Sequence, residues 1–187
     1  MTLEALLRGA CDALRGSDIP FMLTGSVATA FHGASRATMD VDFVIDPTVA
    51  QLDLLVARML ASGAYVSLDA ARDALRDRTM FNVIDPESGW KADLIIRKDR
   101  PFSAMEFGRR QSAEFFGTVI HVATLEDIVL SKLEWAKLGG SARQLDDVRG
   151  LLRIRAGDVD LAYISRWIDV LGVRTQWEVA STDDDRP

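Results

Sequence analysis

Asp40, Asp42 and Asp93 are the residues of this chain best suited to chemistry, because each interrupts an apolar run where an uncompensated carboxylate is costly. Asp40 and Asp42 stand in "MDVDFVID", where strand alternation points both carboxylates to one face. Two like charges there repel unless a cation lies between them. Asp93 sits inside "KADLIIR", and an adjacent metal would account for a carboxylate in that run as well. Hard divalent ions such as Mg²⁺ take oxygen ligands, commonly one or two carboxylates together with nucleotide phosphates. Upstream, "FMLTGS" ends an apolar run in Gly25-Ser26. If a helix starts there, its unpaired backbone N–H groups and the Ser26 hydroxyl suit a phosphate. Asp46 and Asp85 read as a strand-end residue and a turn former.

These residues need a sheet to hold them. Residues 2–15 read as a helix with Leu3, Leu6, Leu7 and Leu14 on one side, broken by "GSDIP". "FMLT" is a short buried strand, "SVATAFHG" a helix, and "MDVDFVID" a strand with Met39, Val41 and Phe43 on the face opposite the aspartates. Pro47 is placed in the first turn of a helix running to Gly63, "AYVSL" is a candidate strand, and residues 69–78 a charged helix or loop. "TMFNVID" and "WKADLIIR" make a hairpin across "PESG", and "EFFGTVIHVAT" a second around Gly117. From Thr124 the periodicity is helical, with three helices beginning at "TLEDIVLSKLEWAKLGG". The expectation is an α+β fold, a mixed sheet flanked by helices with a C-terminal helical subdomain. Its parts are an α/β core over residues 1–122, helices over 123–172 and a flexible tail over 173–187.

The pieces "LTGS", "MDVDFVI" and "KADLII", with thirteen residues between Ser26 and Asp40, resemble the polymerase-β-like nucleotidyltransferase superfamily. Its signature is a hydrophobic residue followed by Gly-Gly or Gly-Ser, then Asp-hydrophobic-Asp, then a distal carboxylate. "LEDIVLSKLEWAK" and "RQLDDVRGLL" further resemble the group related to the abortive-infection toxin AbiEii, a type IV toxin–antitoxin component. The likeness spans roughly residues 20–152. It implies an ATP- or other NTP-binding enzyme that transfers NMP to an acceptor hydroxyl. Asp40, Asp42 and Asp93 would hold two Mg²⁺ ions, with Asp93 at the general-base position. Gly25, Ser26, Arg36 and Lys132 would serve the phosphates, and Asp127 and Asp147 would support the helical half. Where that group often has Lys-Asp, this chain has Arg143-Gln144. Within the group acceptors include RNA, notably the 3′ end of tRNA, and a cognate antitoxin would be a partner. Other branches of the superfamily modify antibiotics such as aminoglycosides and lincosamides. A third alternative is a non-catalytic protein-binding module on the same scaffold.

Composition sets outer limits. At 187 residues, 48% hydrophobic and 27% charged, the chain is an ordinary globular one with room for a large core. A net charge of −6 disfavours a general nucleic-acid coat. Two groups, Arg97, Lys98, Arg100, Arg109 and Arg110, then Arg149, Arg153 and Arg155, could follow a phosphate backbone or be solvated helix faces. The N-terminal run is an amphipathic helix rather than a signal peptide, and no membrane segment is expected. The single Cys11 suits a reducing cytoplasm and reads as a buried thiol. His32 and His121 lack metal-ligand spacing and read as structural, while Trp90, Trp135 and Trp167 fit core positions.

Overall fold

A computed structural model describes residues 2–34 and 38–182. The chain divides into two compact units, residues 1–27 with 37–123, and residues 28–36 with 124–187. The first unit carries a six-stranded mixed sheet in the order β3-β4-β2-β1-β6-β5. Its strands are β1 (Phe21–Thr24), β2 (Asp40–Ile45), β3 (Met80–Ile84), β4 (Lys91–Ile96), β5 (Gln111–Phe115) and β6 (Thr118–Val122). The fold is α+β, as the apolar periodicities predict.

Helix α1 (Leu3–Gly16) starts where the Thr2 side chain accepts from the Ala5 N–H, and buries Leu6, Leu7, Ala10, Cys11 and Leu14 at helical spacing. Burial pushes the Cys11 thiol up to about 12, so it stays protonated and inert. Pro47 stands just outside α3 (Val49–Ala61). The helix is entered through a capping box in which Thr48 and Gln51 satisfy each other's backbone N–H groups. α4 (Leu68–Asp77) lays Ala71 and Ala74 inward. "AYVSL" makes only an isolated bridge, Tyr65 to Ile84, because α4 begins at once behind it.

One face of the sheet is apolar. Val83 and Ala92 share a groove with Leu6 and Ala10 of α1 and Met59 of α3, and Leu94 and Ile96, of the same parity as Ala92, are fully buried. Strand alternation therefore turns Lys91 and Asp93 to the opposite face. In β2 the same alternation buries Val41 and Phe43 and turns Asp40 and Asp42 the other way. Asp46 closes the strand end by pairing with Arg97 at 2.9 Å, and Asp85 caps the β3–β4 turn by accepting from the Ser88 N–H. A helix not foreseen, α5 (Pro101–Arg109), follows β4 with Pro101 in its first turn.

The second unit consists of the rest of α2 (Gly25–Phe31), within which the unit boundary falls, and α6 (Leu125–Gly139), α7 (Ala142–Arg155), α8 (Leu161–Leu171) and α9 (Arg174–Ser181). The expected flexible tail over 173–187 is corrected over its described part, where Arg174–Ser181 form α9; residues 183–187 lie outside the described residues. Val173 is fully buried, and Arg149 donates to the Val179 carbonyl, which ties α9 to α7. Trp167 is buried and Trp90 half-buried, but Trp135 is exposed on α6. Among the described residues no helix is long and apolar enough to cross a membrane.

Candidate active site

Register brings the three aspartates together. β1 and β2 are antiparallel with Thr24 opposite Asp42, and β2 and β4 are parallel with Asp42 beside Asp93 and Asp40 beside Lys91. The β3–β4 hairpin then puts Asn82 opposite Asp93. Thr24, Asp42, Asp93 and Asn82 thus form one row across four strands, each step about 4.8 Å. Residues in register share a face, so Asp40, Asp42 and Asp93 crowd one patch of the sheet.

Gly25 sets the edge of that patch. Its φ of +63° lets the chain turn straight from β1 into α2, so Ser26 follows in the first turn. A Cβ on Gly25 would lie 2.8 Å from the Asp42 Cβ and closer still to its carboxylate. Only a residue without a side chain lets the Asp42 carboxylate lie against the turn. Gly25→Ala should therefore displace Asp42 and strain the backbone by about 1–2 kcal/mol. The expected outcome is a melting temperature lowered by a few degrees, together with loss of divalent-ion binding in an ion titration. Unchanged ion binding would refute the role given to this turn.

The electrostatics centre on a residue the sequence did not single out. Lys91 Nζ lies 3.0 Å from Asp93 Oδ2 and 3.9 Å from Asp40 Oδ1. Burial alone would lower its pKa, but the Asp93 hydrogen bond and the charges of Asp93, Asp40 and Asp42 outweigh burial and raise it. Asn82 Nδ2 donates to the other Asp93 oxygen. Asp93 is thereby held from both sides while nearly buried. Lys91 lies two residues before Asp93 on one strand, but its place beside Asp40 needed the β2–β4 register. Asn82 needed the hairpin register.

Among the described residues, no three His, Cys, Asp or Glu side chains converge closely enough to hold an ion as they stand. The donor chemistry nevertheless fits a hard divalent ion: the donors are all oxygens, on adjacent strands in register, and the Lys91 ammonium offsets part of the negative charge of Asp40 and Asp93.

In the helical unit, Lys132 is buried, with Nζ 2.6 Å from Asp147 Oδ2 and 3.1 Å from Gln144 Oε1. Asp127, fully buried, accepts from Thr124 Oγ1 and from the Tyr163 hydroxyl, each at 2.6 Å, joining the start of α6 to α8. Glu126 accepts from the Asp160 N–H at 3.1 Å, a contact the sequence reading did not foresee. Arg36, given to the phosphates by the resemblance, lies outside the described residues.

No family model and no curated protein matches the chain by sequence. Solved structures do match it by shape. The antibiotic-resistance factor ANT(2″)-Ia, determined in complex with adenylyl-2″-tobramycin, is 14% identical, with a TM-score of 0.57 over 95% of this chain and 99% of that one. An antigenic nucleotidyltransferase-like protein from Paracoccidioides brasiliensis is 16% identical, with a TM-score of 0.57 over 95% of this chain and 91% of the other. JHP933 from Helicobacter pylori is 20% identical, with a TM-score of 0.52 over 97% and 80%. The fold is that of nucleotidyltransferases.

Proposed function

We propose that this chain is a divalent-metal-dependent nucleotidyltransferase that moves NMP from an NTP to an acceptor hydroxyl. The observation that carries the reading is the register of Asp42 with Asp93, with Asp40 one pleat along, beside a Gly-Ser turn into a helix. In the transfer, the acceptor oxygen forms a bond to the α-phosphorus, the bond from that phosphorus to the bridging oxygen breaks, and pyrophosphate leaves. Such reactions ask the protein mainly for positioning and charge neutralisation. Asp40 and Asp42 would hold a divalent ion, Mg²⁺ by donor type, and a second would be shared with Asp93. Bound there, the ions would polarise the phosphoryl oxygens and stabilise the in-line displacement. Ser26 and the neighbouring N–H groups of α2 would orient the terminal phosphates. Asp93, the candidate for the general-base position, would take the proton of the acceptor hydroxyl at Oδ2 once Lys91 has left that oxygen.

For the acceptor, several members of the two arginine groups already hold partners. Arg97 is committed to Asp46, Arg100 to Ser103, Arg149 to Asp146 and Arg155 to Asp158, while Arg110 stacks on Phe107 at 4.3 Å. Those commitments, the net charge of −6 and the shape likeness to ANT(2″)-Ia support a second, narrower reading, a cationic amino-sugar hydroxyl as acceptor. The test is incubation with each α-labelled NTP and Mg²⁺, offered an aminoglycoside panel in one arm and bulk tRNA in the other. Label on the aminoglycoside supports the narrower reading. Label on tRNA would replace it with the toxin-like one, in which an antitoxin is the expected partner. NTP binding with no label on either, nor on total cell RNA or metabolite extract, would leave a binding module and overturn the enzymatic proposal.

A further inference from the structure

We infer that Lys91 is a built-in counter-ion of the acidic patch, which a divalent cation must displace from Asp93 before the site can work. The inference rests on the metal site proposed above. Lys91 and Asp93 are two residues apart on β4 and so share a face, and the β2–β4 register sets Asp40 directly beside Lys91. The ammonium stands among the acids, 3.0 Å from Asp93 and 3.9 Å from Asp40. It engages the Asp93 oxygen assigned to the acceptor proton. While it stays there, that oxygen is neither a metal ligand nor a base.

Charge and mobility say why it can leave. The Asp93 side chain is 10% exposed and fixed on its other oxygen by Asn82, whereas the Lys91 side chain is 32% exposed. A lysine is a point charge on a flexible four-carbon stem, unlike the rigid fork of arginine, and swings to solvent without moving the strand. A divalent ion brings twice the charge to the same oxygens. Without metal, Lys91 offsets the repulsion between Asp93 and Asp40; with metal, the ammonium becomes surplus and is repelled. Lys91 is thus a positioning residue that couples release of Asp93 to arrival of the ion.

The experiment titrates Mn²⁺, as a stand-in for Mg²⁺, against the full chain, following free Mn²⁺ by electron paramagnetic resonance. Lys91→Met should bind Mn²⁺ about tenfold more tightly than the unmodified protein. Lys91→Arg, which keeps the charge, should bind as the unmodified protein does or more weakly. In EDTA, Lys91→Met should melt below the unmodified protein, and saturating Mg²⁺ should close that gap, which a merely structural lysine would not allow. Lys91→Gln serves as the second charge-removing variant if Lys91→Met fails to fold. Equal or weaker Mn²⁺ binding by the charge-removing variants overturns the inference while leaving the metal site intact. No Mn²⁺ binding by either protein would instead remove the metal site, and the inference with it; binding that survives Asp93→Asn unchanged would confine the ion to Asp40 and Asp42 and overturn the inference alone.

Discussion

Asp93→Asn should lower nucleotidyl transfer by at least about 10³-fold, some 4 kcal/mol of transition-state stabilisation, while NTP affinity changes by no more than about threefold. The asymmetry follows from position. Asp42 lies against the Gly25 turn, the side of the patch proposed for the phosphates, whereas Asp93 lies one strand further away, between Asn82 and Lys91. Asparagine keeps the shape and still accepts the Asn82 hydrogen bond, so the hairpin should survive and melting should shift by only a few degrees. What disappears is the negative charge and the capacity to take a proton at Oδ2. Single-turnover transfer with labelled NTP, beside equilibrium NTP binding, separates the two effects. A variant that keeps its turnover would remove Asp93 from the chemistry. One that loses NTP binding in proportion would make it a ligand of the nucleotide alone.

The acidic patch was legible because strand alternation and charge cost are local rules. Asp40 and Asp42 share a face on any strand, and Asp93 could not sit in "KADLIIR" without compensation. The turn at Gly25 was legible for the same reason. What neutralises the patch was not read, since Lys91 gains meaning only when β2 is paired in parallel with β4, a contact between residues some fifty apart in sequence. Helices α5 and α9 escaped for a related reason. Each is short, neither has a side-chain cap, and α9 is held by a buried Val173 and by Arg149 reaching from α7 rather than by its own periodicity. The departure at Arg143-Gln144 also acquires a physical sense, because Gln144 accepts from Lys132 where a second carboxylate would have added charge.

Lys132→Met should destabilise the protein by about 3–5 kcal/mol, because it strands the Asp147 carboxylate in a site built around an ammonium. The two side chains are 5% and 10% exposed and meet at 2.6 Å, so water replaces little of what the pair loses. At about 2–4 °C per kcal/mol for a chain of this size, the melting temperature should fall by roughly 10 °C. The double variant Lys132→Met with Asp147→Leu should recover most of that loss, since both desolvated charges are then gone together. Calorimetry on the two single variants and the double one measures the coupling directly. The double variant also decides what the pair is for. If Lys132 serves the triphosphate, as the resemblance implies, the restored protein will fold normally yet bind NTP at least about tenfold more weakly. If the pair only fastens α7 to α6, the same protein will bind NTP as the unmodified one does, and Lys132 has no part in holding the phosphates.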